Sequence, residues 1–508
     1  MSRFYLTTPL YYVNARPHIG HAYTTIVADT LARWHRQRGE EVFLLTGTDE
    51  HGGKIAQAAA KAGLPPKAFA DQTSETFKAL WKKLGISYDH FIRTTDTAHE
   101  RVVQQVLERL KPQLELGTYT FWYCVPCETS FGLNEVDSSK AVCPQCQRPI
   151  TQVEEEDYFL PLEKHRSWLK EQIERNPDFV IRPASRRNEV LAMLEKELPD
   201  LCITRPKERV SWGIQVPFSP GHVTYVWFDA LLNYVSALGW PDGEKFRLYW
   251  EETGAVHLVG KDIIRHHCLY WPIILHAAGI RPPRMVFAHG WWLVKGEKMS
   301  KSKGNIVEPE AVVSAYGLDP FRYFLLRDVP FGEDGVFSEE ALVKRINADL
   351  ANDLGNLVYR TLTMLEKHLG GRIPARSSAA GLTLAKDFYD TWQKMTNFLS
   401  AMLPSEALKA LWELINKANQ SVEIKAPWRL AKEGRREELE AFLYDLAEAL
   451  RVVSLFLWPF LPTTAEAIWR QMGFQGLLSS ERLPAALETP IPAGQMVRKE
   501  PPLFPRLE

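Results

Sequence analysis

The sequence predicts an α/β protein: a doubly wound, Rossmann-like parallel sheet, interrupted by a cysteine-bearing insertion and followed by an all-α helical bundle. Three observations carry this expectation. Residues 4–47 read strand, helix, strand; a second α/β stretch begins near residue 221; and from about residue 341 the chain turns to long segments of helical periodicity. A length of 508 residues accommodates about two to four domains with a large core.

Taken in order, "FYLTT" (4–8) reads as a buried strand. From Ile19 the apolar positions Ala22, Ile26, Val27, Leu31 and Trp34 follow helical spacing, with Gly39 as the stop. "EVFLLTG" (41–47) is the next strand, completing a right-handed βαβ unit. "PHIGH" (17–21) therefore falls in the first strand-to-helix turn, with His18 and His21 at a helix N-terminus. That end of a helix favours anions, and ligands of open α/β sheets bind at the carboxyl ends of strands. Gly20 lets a planar group approach the backbone. Two readings fit the imidazoles: they cap and pack the helix, or they donate to phosphate oxygens.

A polar segment at about 115–160 interrupts the sheet, which resumes with "HVTYVWFDALLNYVSAL" and "AVHLVGKDIIRHHCLYWPIIL". The segments "ALVKRINADLANDLGNLVYRTLTMLEKHL", "ALKALWELINKANQSVEIKAPW" and "EELEAFLYDLAEALRVVSLFL" build the bundle. Residues 483–508 are proline-rich and read as irregular.

Composition narrows the function. The net charge is −1, so a polyanionic partner must be met by local Lys and Arg clusters rather than by a basic chain. "MSRFYLTTPL" does not read as a secretory signal, and "VVSLFLWPFL" (452–461) is too short to span a bilayer, so a cytoplasmic location away from membranes is expected. Six cysteines are too few for a disulfide scaffold.

Four of the six form two close pairs, Cys124-x2-Cys127 and Cys143-x2-Cys146. Four thiolates in that pattern suit tetrahedral Zn²⁺ in a closed structural site, with two disulfides or an iron–sulfur centre as the alternatives. Cys202 and Cys268 read as packing residues. A second signal is "GEKMSKSKGN" (296–305), whose Lys298, Lys301 and Lys303 share one glycine-flanked loop with the preceding Lys295. Such a loop either lies solvated or closes on a polyphosphate and neutralises charge developing in a transition state.

"HIGH" at 18–21 and "KMSKS" at 298–302, both without a substitution, are the paired signatures of class I aminoacyl-tRNA synthetases. "TTPLYYVNARPHIGHAYTTIVAD", "LTGTDEHGGKIAQAA", "VTYVWFDALLNYVSAL", "HLVGKDIIRHHCLYWP" and "GWWLVKGEKMSKSKGNIVEP" closely resemble the bacterial methionyl-tRNA synthetase family, over essentially the whole chain. The fifteen residues between the cysteine pairs, and His266, depart from common family patterns, and no role is assigned to His266.

The resemblance implies a Rossmann-like catalytic domain in two halves (1–114 and 221–289), a connective insertion with a zinc knuckle (115–220) and a KMSKS loop and stem-contact region (290–340). An α-helical anticodon-binding bundle (341–482) and the irregular tail complete the chain. It implies that methionine and ATP give methionyl-adenylate, and that the methionyl group passes to the methionine tRNA, with Mg²⁺ accompanying ATP. Catalysis falls to His18, His21, Lys298 and Lys301, and ATP binding to His18, Gly20, His21, Gly260, Asp262 and Lys301. Methionine falls to Leu10, Tyr12, Asp49, Trp227, Ala230, Leu231, Tyr234, Ile263, His267 and Trp271. The anticodon CAU falls to Asn356, Arg360 and Trp428.

Read from the residues alone, Asp49 suits either the substrate ammonium or a helix cap. The pocket aromatics suit core packing equally, and Trp428 and Arg360 suit a core and a solvated face. The runner-up enzymes are the class I synthetases for leucine, isoleucine, valine or cysteine, and a non-catalytic tRNA-binding relative is the alternative of another class. A monomer is the expected state.

Overall fold

A computed structural model describes residues 2–14, 16–127, 129–294, 296–298, 306–376 and 384–508. Its centre is a parallel seven-stranded sheet. The strands are β1 (Arg3–Thr7), β2 (Tyr11–Tyr12), β3 (Glu41–Asp49), β4 (His90–Arg93), β5 (Val180–Arg182), β6 (Ala255–Gly260) and β7 (Met285–His289). They lie in the order β2–β3–β1–β6–β7–β5, with β4 also paired to β3. Leu6 of β1 aligns with Leu44 on one side and with Val256 on the other, so the two sequence-distant halves meet along β1.

Period-two alternation explains the continuous apolar runs. Phe4, Leu6, Val42 and Leu44 enter one core, while Tyr5, Phe43 and Leu45 enter the other. The first core contains the first helix (Ile19–Gln37) and continues without a break into the helical bundle. A fully buried ion cluster joins the same parts. Arg322 pairs with Asp29 of the first helix at 2.8 Å and donates to the carbonyls of Phe460 and Pro459 at 2.8 and 3.3 Å.

The first helix starts at Ile19 and ends at Gln37, ahead of Gly39, as its spacing implies. β3 runs two residues past the expected end, to Asp49. Within 115–220, Val180–Arg182 is not part of the insertion's own sheet but the edge strand of the main one, paired to β7. Three residues carry no periodicity, which is why the segment does not read as a return to the sheet. The insertion proper is a four-stranded antiparallel sheet, in which Glu115–Cys124 pairs with Thr151–Leu160. The bundle holds long helices at Asn356–Leu369, Ala385–Ser400, Pro404–Lys425 and Arg436–Leu457. Its first segment contains a π-helical stretch, Ile346–Gly355, that uniform helical spacing does not anticipate. Among the described residues no helix is long and apolar enough to cross a membrane.

Candidate active site

The histidine turn bears out the capping reading of its two imidazoles. His18 is the N-cap: the Gly20 N–H donates to its Nδ1 at 3.1 Å. The His18 N–H in turn donates to Nδ1 of His21 at 3.2 Å, so the two rings close a reciprocal capping box. The rings stack with centroids 3.8 Å apart. Burial, reinforced by His18, holds the His21 imidazole well below its ordinary pKa. Because both Nδ1 atoms accept backbone N–H groups, neutral rings carry their protons on Nε2, as donors at a helix N-terminus. Gly20 fits the same geometry closely, since a Cβ there would crowd His18 Cε1 at 3.0 Å and Nδ1 at 3.1 Å.

These residues border a cavity of about 310 Å³ at the carboxyl ends of β1, β6 and β7, with Gly260, Asp262 and Trp291 on the far side. A Cβ on Gly260 would fall 2.5 Å from Asp262 Oδ1, so a side chain there would push the Asp262 carboxylate from its present place beside the cavity. The Trp291 indole N–H donates to Asp262 at 3.3 Å, and Lys261 lies 4.2 Å over the Trp291 ring. His289 donates from Nδ1 to the Gly290 carbonyl at 2.7 Å, and Thr24 donates to its Nε2 at 2.7 Å. Trp291 and His289 carry no local sequence signal, because "AHGWW" offers aromatic content but no spacing rule.

A second cavity, of about 130 Å³, adjoins the first. Leu10, Tyr12, Asp49, Trp227, Ala230, Leu231, Tyr234, Ile263 and His267, nine of the ten expected methionine contacts, line it. Leu10, Tyr12, Trp227 and Ile263 line both cavities, so the two share a wall. Asp49 sits buried at the end of β3, at the polar end, with Lys54 beside it on the lining. Tyr234 donates its hydroxyl to His267 Nε2 at 2.8 Å, while His267 Nδ1 donates to the Ile263 carbonyl at 3.1 Å. Burial pushes the His267 pKa down to about 4, so this neutral tautomer persists at pH 7. With its hydroxyl engaged there, Tyr234 presents ring rather than a polar group.

Trp271 is the expected contact that the cavity does not include. It is fully buried behind Tyr234, ring centroids 5.8 Å apart, and donates to His257 Nε2 at 3.3 Å. His266, left without a role, stacks under Trp227 at 3.8 Å. Lys301 lies outside the described residues; Lys298 belongs to the short strand Glu297–Lys298, and its side chain is likewise not described.

Behind the second cavity is a buried polar network. Asp229 accepts from His51 Nδ1 and from His99 Nε2, each at 2.7 Å, and His99 Nδ1 meets Ser236 Oγ at 2.7 Å. Burial opposes the Asp229 charge, but His51 and His99 outweigh it and hold the carboxyl below its usual range. The same contact raises His51, against its own burial.

Cys124, Cys127, Cys143 and Cys146 place their sulfurs within 4.8 Å of one another, with Cys124–Cys146 at 3.5 Å and Cys127–Cys143 at 3.8 Å. A tetrahedral ion with metal–sulfur bonds of about 2.3 Å requires sulfur–sulfur spacings of about 3.8 Å. The four sulfurs fit such an ion, and none is in a disulfide. In the bundle, Asn356 and Arg360 share a face of one helix. Trp428 is 50% exposed, not core, and the Arg360 guanidinium lies 6.0 Å over its ring while pairing with Glu423 at 2.7 Å.

A parallel nucleotide-type sheet with this histidine turn and paired cavities defines a class I tRNA synthetase. The family model described as "tRNA synthetases class I (M)" matches residues 4–153 and 148–362. A methionine–tRNA ligase of Caldanaerobacter subterraneus is 46% identical over 99% of this chain and 79% of its own length. One of Thermotoga maritima is 46% identical over 95% of this chain and 77% of its own. The solved structure of Mycobacterium tuberculosis methionyl-tRNA synthetase in complex with methionyl-adenylate superposes with a TM-score of 0.94, at 41% identity and with both chains fully covered. The chain belongs to the methionine–tRNA ligase family.

Proposed function

We propose that the chain activates L-methionine with ATP to methionyl-adenylate and transfers the methionyl group to the 3′ end of the methionine tRNA. The observation that carries this is the pair of adjoining cavities, one headed by the histidine turn and the other by Asp49 and an aromatic wall. ATP occupies the larger cavity, with Gly20 and Gly260 admitting the nucleotide against the backbone and Asp262 beside it. Methionine occupies the smaller. Its ammonium pairs with Asp49, and its thioether lies among Trp227, Ala230, Leu231 and Tyr234, where sulfur–aromatic contact favours it. Leu10, Tyr12, Ile263 and His267 close the pocket, and Trp271 backs Tyr234.

The carboxylate then lies on the side of the adjoining cavity, toward the α-phosphate. One of its oxygens attacks phosphorus and pyrophosphate leaves. The chain supplies no covalent nucleophile, so its contribution is alignment and charge stabilisation. His18 and His21 donate from Nε2 to phosphate oxygens, and Lys298 and Lys301 of the KMSKS loop neutralise the charge that builds on them. Mg²⁺ bound to ATP would supply further screening of the phosphate charge. In the second step a hydroxyl of the terminal adenosine attacks the acyl carbon and AMP leaves.

The four cysteines would hold one zinc ion, in a structural role because protein sulfur would take all four positions. Asn356, Arg360 and Trp428 read the CAU anticodon, Trp428 by stacking on a base. The segments 1–114, 115–220, 221–289, 290–340, 341–482 and 483–508 act as catalytic half, zinc-bearing insertion, second catalytic half, KMSKS region, anticodon bundle and tail, in a cytoplasmic monomer. The test is charging of a CAU-anticodon tRNA against the same tRNA carrying another anticodon. Methionylation of the first with strong loss on the second is expected; equal charging of both, or of neither, overturns the reading.

A further inference from the structure

The wall of the smaller cavity is a fragile piece of architecture. Trp227, Ala230, Leu231 and Tyr234 sit on two very short helices, Val226–Leu231 and Asn233–Ser236. Segments of six and four residues have no intrinsic helical stability, so tertiary contacts must hold them in place. The polar end of the cavity, Asp49, belongs to a different element, the end of β3. A ligand gripped at both ends feels any change in the spacing between the two.

One buried carboxylate spans that gap. Asp229 lies on the first short helix, between Trp227 and Ala230, and is fully buried. One of its oxygens accepts from His51, two residues beyond Asp49; the other accepts from His99 of the Thr97–Leu110 helix. His99 continues to Ser236, the last residue of the second short helix. His51 and His99 are themselves buried, and Glu100 lies 4.0 Å from the outer nitrogen of His51. A single chain of 2.7 Å hydrogen bonds therefore ties both wall helices to the strand end that carries Asp49. Charge-assisted bonds in a site closed to water are the stiffest polar contacts available.

We propose that Asp229, acting through His51 and His99, is a positioning residue that sets the distance between Asp49 and the Trp227–Tyr234 wall, and with it the affinity for methionine and the discrimination against amino acids of other side-chain length. This rests on the reading that the smaller cavity holds methionine. Asp229 touches no substrate. Its carboxylate faces away from the cavity, into the two histidines.

The experiment is ATP–pyrophosphate exchange by the full chain, with methionine and then ATP varied, for the wild type and Asp229→Asn. Asparagine keeps the shape but replaces one acceptor oxygen with a donor, so one histidine contact is lost. The expected result is a methionine KM raised tenfold or more and an ATP KM, at saturating methionine, within twofold of the wild type. The preference for methionine over ethionine, one methylene longer, should fall fivefold or more. Unchanged kinetics, or KM values for methionine and ATP raised by the same factor, would mean generic support and overturn the proposal. Ser236→Ala removes only the outermost bond and serves if Asp229→Asn does not fold; a threefold or larger rise in methionine KM supports the proposal and an unchanged one overturns it. Wild-type protein run alongside separates the two claims: no methionine-dependent exchange there overturns the methionine reading and the proposal with it, whereas normal wild-type exchange with an unchanged variant overturns the Asp229 role alone.

Discussion

Gly20→Ala tests the histidine turn with one methyl group. The new Cβ would lie 3.0 Å from His18 Cε1 and 3.1 Å from Nδ1, so the His18 ring must move away by a few tenths of an ångström or rotate. Either movement weakens the Gly20 N–H bond to His18 Nδ1, now 3.1 Å, and disturbs the stack on His21. Loss of an N-cap bond costs about 1 kcal/mol, and replacing glycine with alanine in a helix returns about the same. Global stability is therefore expected to stay within about 2 °C in Tm. Catalysis has no such compensation. A displaced transition-state donor costs roughly 10- to 100-fold in adenylation, about 1.4–2.7 kcal/mol. The assay pairs single-turnover adenylate formation with methionine binding by calorimetry. A slowed adenylation with unchanged methionine affinity is expected. Wild-type adenylation by Gly20→Ala would show that the histidine geometry does not matter to the chemistry.

Elemental analysis of protein purified without chelator should find about one zinc per chain, and Cys143→Ser should bind less. Trp428→Ala should preserve methionine-dependent exchange but lower tRNA charging about five- to 150-fold, because a stacked base contributes roughly 1–3 kcal/mol; parallel loss of both reactions would make Trp428 a structural residue. Asp29, although buried, is held at about 2 by Arg33 and Arg322. A carboxyl lowered in the folded state contributes stability above its unfolded value, near 3.9, and that contribution is lost as pH falls through the folded one. Urea unfolding should therefore weaken by about 2 kcal/mol from this group between roughly pH 4 and pH 2, with the step absent in Asp29→Asn.

The parts of the molecule that the sequence discloses are those with local signals. β1 and β3 are apolar runs because both faces are covered, and the first helix has a full stripe of apolar positions closed by Gly39. β5 escapes because three residues have no period, so its return to the sheet within 115–220 is a tertiary event. The histidine turn and the cysteine pairs were legible because their chemistry is concentrated in a few adjacent residues. The use of Nδ1 of both His18 and His21 as the capping atom was not, since it depends on which backbone N–H groups reach it. Trp271 carried the right residue type but stands one layer behind the cavity. Trp428 shows the reverse: a core reading was reasonable for a tryptophan, and only the packed bundle exposes it beside Arg360. Asp229, His51 and His99 were silent because their partners lie 178 and 130 residues away, and "FDALL" alone reads as an ordinary short helix.

The central claim is that the two adjoining cavities activate methionine. ATP–pyrophosphate exchange across all the standard amino acids, on one folded preparation, tests it most directly. Exchange with methionine at least 10²-fold above leucine, isoleucine, valine and cysteine is the predicted result, consistent with a pocket that rejects a wrong side chain at about 3 kcal/mol. Preference for any other amino acid, or no exchange with methionine, would contradict it.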